Sequence, residues 1–425
     1  MKIYKKILTL LCFICVGLLL TSCNILNSIL STYSYDLFPT TSSSITTTTH
    51  SHNDKTTNAT EEGFVENIIY DDLQIHFLEL GNEYAGDSVY IKAGNNDILI
   101  DAGSRKGSAE TIKEYVDKYC TDKKLEYVIA THAHQDHIAG FVGNSKNNSR
   151  TGILYQYKVG TIIDFALTGA TSQIYEDYLY AVEYAIENGA SQYNAADCFN
   201  NENGASRTYS LGEGISLEIL YNYYYFNTTE DENDYSVCVM LKYNDLNFMF
   251  TGDLEEEGEH KMAEYYDGST PEKTLPHVEV FKAGHHGSKT SSNDCLLSKI
   301  TPSIVCVCAC AGSTEYTANY NNIFPTQEFI TRIAKYTDRV YCTSLFDEKE
   351  KTFKSMNGNI IISSNGLNIG LDATNNLIKL KDSEWFNQTV YVDNNDNIVS
   401  KKGKEDFFTA ETPGVTAVVR RVWPK

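Results

Sequence analysis

The stretch THAHQDHIAG, residues 131 to 140, places three histidines and an aspartate within six positions, directly after the apolar run Tyr127-Val128-Ile129-Ala130. Imidazole nitrogen and carboxylate oxygen are common protein ligands of zinc and of other divalent ions. In a locally extended chain His132 and His134, two residues apart, can point the same way toward one ion, while Asp136 and His137 can turn toward a second. A dication held there lowers the pKa of bound water and polarises the oxygen of a bond under attack, so the chemistry on offer is metal-assisted hydrolysis. No Gly-x-Ser-x-Gly nucleophile elbow competes with it.

His132-x-His134-x-Asp136-His137 resembles the H-x-H-x-D-H signature of the metallo-β-lactamase superfamily. The resemblance implies an α/β (α+β) fold, a four-layer αββα sandwich with metals at the strand edge. It extends to two later strands, each ending in a ligand. Phe248-Met249-Phe250-Thr251-Gly252-Asp253 looks like the family's bridging carboxylate, and Val278 to Lys282 runs into His285-His286-Gly287-Ser288, where a terminal histidine ligand is expected. The resemblance thus implies metal ligands His132, His134, Asp136, His137, Asp253 and His285 around two divalent ions, zinc or manganese. Asp136 and Asp253 orient the attacking water, and His286 is the neighbour that contacts substrate or donates a proton; the sequence alone does not decide between the two histidines.

A narrower resemblance is to the β-lactamase-like domain of ComEC-type competence proteins. It rests on Ile75 to Gly81 with Gly86-Asp87-Ser88, Leu99-Ile100-Asp101-Ala102-Gly103, Asn233-Asp234-Tyr235-Ser236-Val237, Phe250 to Asp253, Gly284 to Ser288 and Asn359 to Gly366. Asp101 then orients the histidine loop by hydrogen bonds without touching metal, or is an ordinary turn aspartate. Asn233, Ser236 and Ser288 are candidate residues lining the site, although Asn-x-x-Ser before a strand is also common turn chemistry. The chain departs from the superfamily in having no histidine from Ile138 to Gly252, which gives one metal position a poorer ligand set, and in carrying Phe324-Pro325 in place of a late His-Pro element. The resemblance does not extend to ComEC's transmembrane channel, so DNA uptake is not among its implications.

The elements that position these residues are legible around them. Three strands with turns between them are expected over Leu73 to Gly81, Asp87 to Ile91 and Asp97 to Gly103. A helix capped by Ser108 is expected through Tyr119, with Ile112, Tyr115 and Val116 on one face, followed by a strand from Glu126 to Ala130. Cys306, Cys308 and Cys310 alternate on a strand and therefore share one face, which does not converge on an ion, so they read as buried apolar residues. Tyr221, Tyr223, Tyr224 and Tyr225 read as aromatic packing under a long insertion. Beyond residue 373, strands over Leu377 to Lys381, Val390 to Val392 and Val415 to Val422 suggest a small β appendage with a turn at Asn394 to Asn397.

At the other end, Lys2, Lys5 and Lys6 precede an apolar run from Ile7 to Leu20, and Leu20-Thr21-Ser22-Cys23 resembles the bacterial lipobox. The expectation is a lipoprotein signal at residues 1–23 with lipid on Cys23, a Ser/Thr-rich tether at 24–64, a hydrolase domain at 65–373 and the appendage at 374–425. The protein would then work outside the cytoplasm, anchored to the cell membrane. The formal net charge of −21 repels polyanions and counts against tight nucleic-acid binding. The expected activity is hydrolysis of a small or exposed phosphodiester, with DNA still open as a substrate. The alternatives are a degenerate metal- or ligand-binding lipoprotein and an extracellular nuclease of the ComEC kind.

Overall fold

The computed structural model describes residues 64–146, 149–347, 350–399 and 413–425. The signal segment, Cys23 and the tether through residue 63 lie outside the described residues. Phe64 itself is buried and opens the strand Phe64–Glu66, which pairs in parallel with Ile369–Ala373, so the folded body includes the last residue assigned to the tether. No helix among the described residues is long and apolar enough to cross a membrane.

Two large sheets carry the fold. The nine-stranded sheet runs Phe64–Glu66, Ile369–Ala373, Ile360–Ser364, Leu73–Phe77, Val89–Ala93, Asn96–Ile100, Lys124–Ile129, Lys158–Asp164, Ser191–Asn194. The eight-stranded sheet runs Thr208–Gly212, Ile215–Ile219, Val239–Tyr243, Leu246–Phe250, Val280–Lys282, Ile304–Ala311, Val340–Asp347, Thr352–Ser355. Side-chain alternation divides their faces between two cores. Leu241, Phe248, Ile304, Cys306 and Cys308 of the second sheet join Ile75, Phe77 and Ile362 of the first, together with Ile112 and Phe141 from helices Ser108–Val116 and Gln135–Val142. Their sequence neighbours Met240, Met249, Val305 and Val307 face the other way and pack with Met262, Leu296, Leu297 and Phe329 of helices Glu256–Tyr265, Asp294–Ile300 and Gln327–Ile333. This is the αββα sandwich, and all eight residues of Ile304–Ala311 are buried because both of its faces are covered.

Strands Asn96–Ile100, Lys124–Ile129 and Lys158–Asp164 are mutually parallel, as are Leu246–Phe250, Val280–Lys282, Ile304–Ala311 and Val340–Asp347. The segments leaving their carboxyl ends are Asp101-Ala102-Gly103, Thr131 to His137, Thr251-Gly252-Asp253 and Ala283 to His286. Ligand sites of α/β folds collect at such ends, because backbone donors and loop side chains converge there.

Two local expectations change, and the appendage's strand pair forms as expected. The helix spans Ser108–Val116 with Gly107 as its N-cap, while the Ser108 hydroxyl turns back to accept the N–H of Ser104 at 3.1 Å; Tyr119 falls in the turn beyond. Leu377 to Lys381 forms no strand. The Asn357 side chain takes the Ile378 N–H at 2.8 Å and donates to its carbonyl at 3.1 Å, so a side chain satisfies the backbone that a strand partner would have paired. Thr389–Asp393 pairs with Val415–Val419, and the Asp393 carboxylate caps the intervening 394–397 turn by accepting from Asn395 and Asn397 N–H.

The appendage docks on the loop between Ile304–Ala311 and Gln327–Ile333. Arg421, fully buried, donates from Nε to the carbonyl of Pro325 at 2.7 Å and from Nη2 to those of Ile323 at 2.6 Å and Tyr320 at 3.2 Å. Tyr221 stacks on Tyr265 at 3.9 Å and the Tyr225 hydroxyl accepts the Cys238 N–H, so these tyrosines pack.

Candidate metal centre

The loop leaving Lys124–Ile129 turns at once into helix Gln135–Val142, whose N-cap residue is His134. That geometry fixes what each histidine does. His137, one turn into the helix and fully buried, presents Nδ1 to Asp101 Oδ2 at 2.7 Å and Nε2 to Asp253 Oδ2 at 3.1 Å. Asp101, with φ at 58°, also accepts the Thr131 N–H at 2.8 Å and its hydroxyl at 2.7 Å, so one buried carboxylate ties the strand end, the loop and the imidazole together. With Nδ1 committed, Nε2 is the nitrogen left for an ion.

His286 is arranged the same way from the other sheet. Nδ1 donates to the Cys308 carbonyl at 3.0 Å and lies 3.1 Å from Asp87, while Nε2 stands 3.4 Å from both Asp136 and Asp253. Single atoms of Asp136, His137, Asp253 and His286 fall within 4.8 Å of one another. The sequence expectation had His285 as ligand and His286 as neighbour. Here His286 is fully buried among the carboxylates, whereas His285 is 20% exposed, pairs its Nδ1 with Glu255 at 3.0 Å and keeps Nε2 3.8 Å from Asp253. Both residues hold left-handed backbone, φ 45° and 53°, and this kink turns one ring inward and the next toward the mouth. Such strain costs on the order of 1–3 kcal/mol per residue and persists where surrounding structure enforces it.

His132 and His134 hold each other. Nε2 of buried His132 is 3.0 Å from Nδ1 of exposed His134, and Nδ1 of His132 lies 3.1 Å from the Thr131 hydroxyl and 3.4 Å from that of Ser236. Ser236 also accepts the Asp253 N–H at 3.0 Å, so it braces the cluster from behind. Asn233 donates to Glu255 at 3.1 Å, and Ser288 shares a 2.9 Å bond with Thr290, which in turn donates to Glu255.

Several contributors carried no assigned role in the sequence reading. Asp87 lies beside His286 and forms a buried ion pair with Lys282, whose ammonium also donates to the Gly252 carbonyl at 3.2 Å and stands 3.7 Å from Asp253. A lysine ending the apolar run Val280-Phe281-Lys282 was the available signal. Tyr316 donates a 2.6 Å bond to Asp136 Oδ2 from a distant loop, and nothing in the local sequence marks it.

The cluster asks for positive charge. Burial disfavours the charged form of His137 and His286, yet Asp253 and Asp101 hold His137 well above the usual imidazole range, and Asp253 and Asp87 raise His286 to about 10. His132 goes the other way, lowered by burial and by the charge on His137. The Nε2 atoms of His137 and His286 and one oxygen each of Asp253 and Asp87 are buried without a hydrogen bond. Converging, unsatisfied ligand atoms inside a carboxylate-rich pocket fit a divalent cation.

The metallo-β-lactamase superfamily profile matches residues 81–153, the segment holding the histidine loop. The αββα sandwich of this chain agrees with that match. Over 79 residues it is 30% identical to Recombination protein 2 of Haemophilus influenzae, 19% of this chain and 9% of that protein, so it spans less than a tenth of that relative's length. The metallo-β-lactamase fold protein YhfI from Bacillus subtilis aligns at 10% identity over 64% of this chain and 96% of its own, with a TM-score of 0.37. The short form of human tRNase Z aligns at 13% identity over 63% and 93%, with a TM-score of 0.31.

Proposed function

We propose that this chain is a metal-dependent hydrolase of phosphodiester bonds that works outside the cytoplasm, tethered through lipid on Cys23. The observation that carries the reading is the convergence of Asp136, His137, Asp253 and His286 with ligand atoms left unsatisfied. These four residues would hold one ion, and His132 and His134 a second, weaker one for want of a third histidine. A divalent cation, zinc or manganese, supplies the Lewis acidity that activates water and draws charge from the oxygen under attack.

The chain's own residues do the rest. Asp101 and the Cys308 carbonyl fix the two imidazoles, Asp253 spans from His137 to His286, and Lys282 with Asp87 keeps charge balanced behind them. His285, at the mouth against Glu255, takes the substrate-facing place first expected of His286. The local likeness to ComEC-type proteins supports phosphorus as the reaction centre. The acidity of the mouth, with Glu255 beside His285 and Glu315 beside Tyr316, supports a small diester over a duplex.

The test is cleavage of a DNA duplex, its single strand and a chromogenic phosphodiester by the chain from Glu61 onward, loaded with zinc or manganese, beside Asp253→Asn. Cleavage of the small diester that needs the ion and disappears in the variant is the expected result. Failure to cut any of the three under either ion would remove the phosphodiesterase reading.

A further inference from the structure

The loop between Ile304–Ala311 and Gln327–Ile333 covers one side of the cluster, and Tyr316 stands near its tip. The residue as a whole is 54% exposed, yet its hydroxyl donates into the cluster, 2.6 Å from Asp136 Oδ2. The ring lies 5.9 Å from that of Phe324, which sits 5.4 Å from His285 and 6.0 Å from His286. Tyr316, Phe324 and His285 thus form a wall at the solvent side of the ligand atoms.

The wall is held from three directions. Glu315 pairs with Arg105 and accepts the Ala85 N–H at 3.1 Å, which ties the loop to the first sheet's side of the site. Thr326 N–H donates to Gly287 at 2.9 Å and Lys289 to Asn322 at 2.8 Å, which ties it to the histidine pair. The appendage holds the third side through Arg421 and through the Tyr320 N–H, which donates to the Asp396 carbonyl at 2.8 Å. The hydroxyl is therefore placed by distant parts of the chain, as a preorganised donor is. Around this wall His285 Nδ1 is engaged by Glu255, Arg105 by Glu315 and Lys289 by Asn322, which leaves the Tyr316 hydroxyl and the Nε2 of His285. Phe324 has no donor to offer.

We propose that Tyr316 is a catalytic residue whose hydroxyl donates a hydrogen bond to a non-bridging oxygen of the phosphoryl group under attack, turning from Asp136 to reach it. The hydroxyl keeps its proton throughout, so its part is to stabilise charge that grows on that oxygen. This rests on the phosphodiesterase reading, and its test separates the two.

The manganese-loaded full chain and Tyr316→Phe, which keeps the ring and its contact with Phe324, are compared by calorimetric binding of inorganic phosphate and of manganese, and by turnover of the chromogenic diester. Loss of one hydrogen bond to a charged oxygen is worth roughly tenfold or more. The expected result is phosphate binding weakened about tenfold, with manganese binding unchanged within about twofold on the same scale. Equal phosphate binding by both proteins overturns the proposal. So does a manganese affinity that falls as far as the phosphate affinity, which would make Tyr316 only a positioning residue for Asp136, and so does a parent chain that binds no phosphate. A parent that binds phosphate through Tyr316 yet cuts no diester leaves the tyrosine's role standing and removes the phosphodiesterase reading.

Discussion

At the scale of single residues, the assignment of the histidine pair has the sharpest consequence. If His286 is the ligand and His285 the substrate-facing neighbour, His286→Ala lowers manganese affinity by about a hundredfold, whereas His285→Ala changes it by no more than a few fold and lowers turnover instead. Titration calorimetry of both variants checks this, and equal losses of affinity would reverse the assignment. The sequence marks Asp136, His137 and Asp253 well, because each follows an apolar strand in a spaced motif. It does not divide His285 from His286, since the division depends on two left-handed φ values that no residue type here demands. Tyr316 and Asp87 were illegible for another reason: their partners lie far along the chain.

At the scale of elements, the histidine helix reaches the ligand cluster only because glycines let it approach the end of Asn96–Ile100. The Ala102 N–H donates to the His137 carbonyl at 2.8 Å, and a Cβ on Gly140 would stand 2.2 Å from the Ala102 carbonyl oxygen. Gly140→Ala is therefore expected to cost about 1–3 kcal/mol in urea unfolding and to weaken manganese binding as the helix is pushed away from Asp101. An unchanged denaturation midpoint would show that the contact has slack. The strands and helix expected between Leu73 and Ala130 were legible from periodicity with boundaries moved by a few residues, whereas the strand expected over Leu377 to Lys381 does not form. Ser108 illustrates why: its hydroxyl is a good helix cap in isolation, but the preceding turn claims it, and Gly107 takes the cap.

At the scale of the whole molecule, the αββα architecture was expected from the family resemblance of the histidine loop and strand ends, whereas helices Glu256–Tyr265, Asp294–Ile300 and Gln327–Ile333, which cover the second sheet, were not among the expected elements. The appendage was visible only as a few strands of unknown use. Its contact with the site-covering loop runs through Arg421, whose three carbonyl partners on that loop cannot be read from local pattern. Arg421→Gln is expected to speed hydrogen exchange in residues 313–323 by about tenfold or more, the equivalent of one lost charge-assisted bond, with the central strands unchanged. Uniform exchange across the whole fold would mean that the arginine supports global stability instead.

The ligand set is divided between the two sheets: Asp136 and His137 follow a strand of the first, Asp253 and His286 follow strands of the second. An ion bound there belongs to neither half and works as a rivet through the seam. Loading with manganese is therefore expected to raise the denaturation midpoint by tying the sheets together beyond the hydrophobic core they already share.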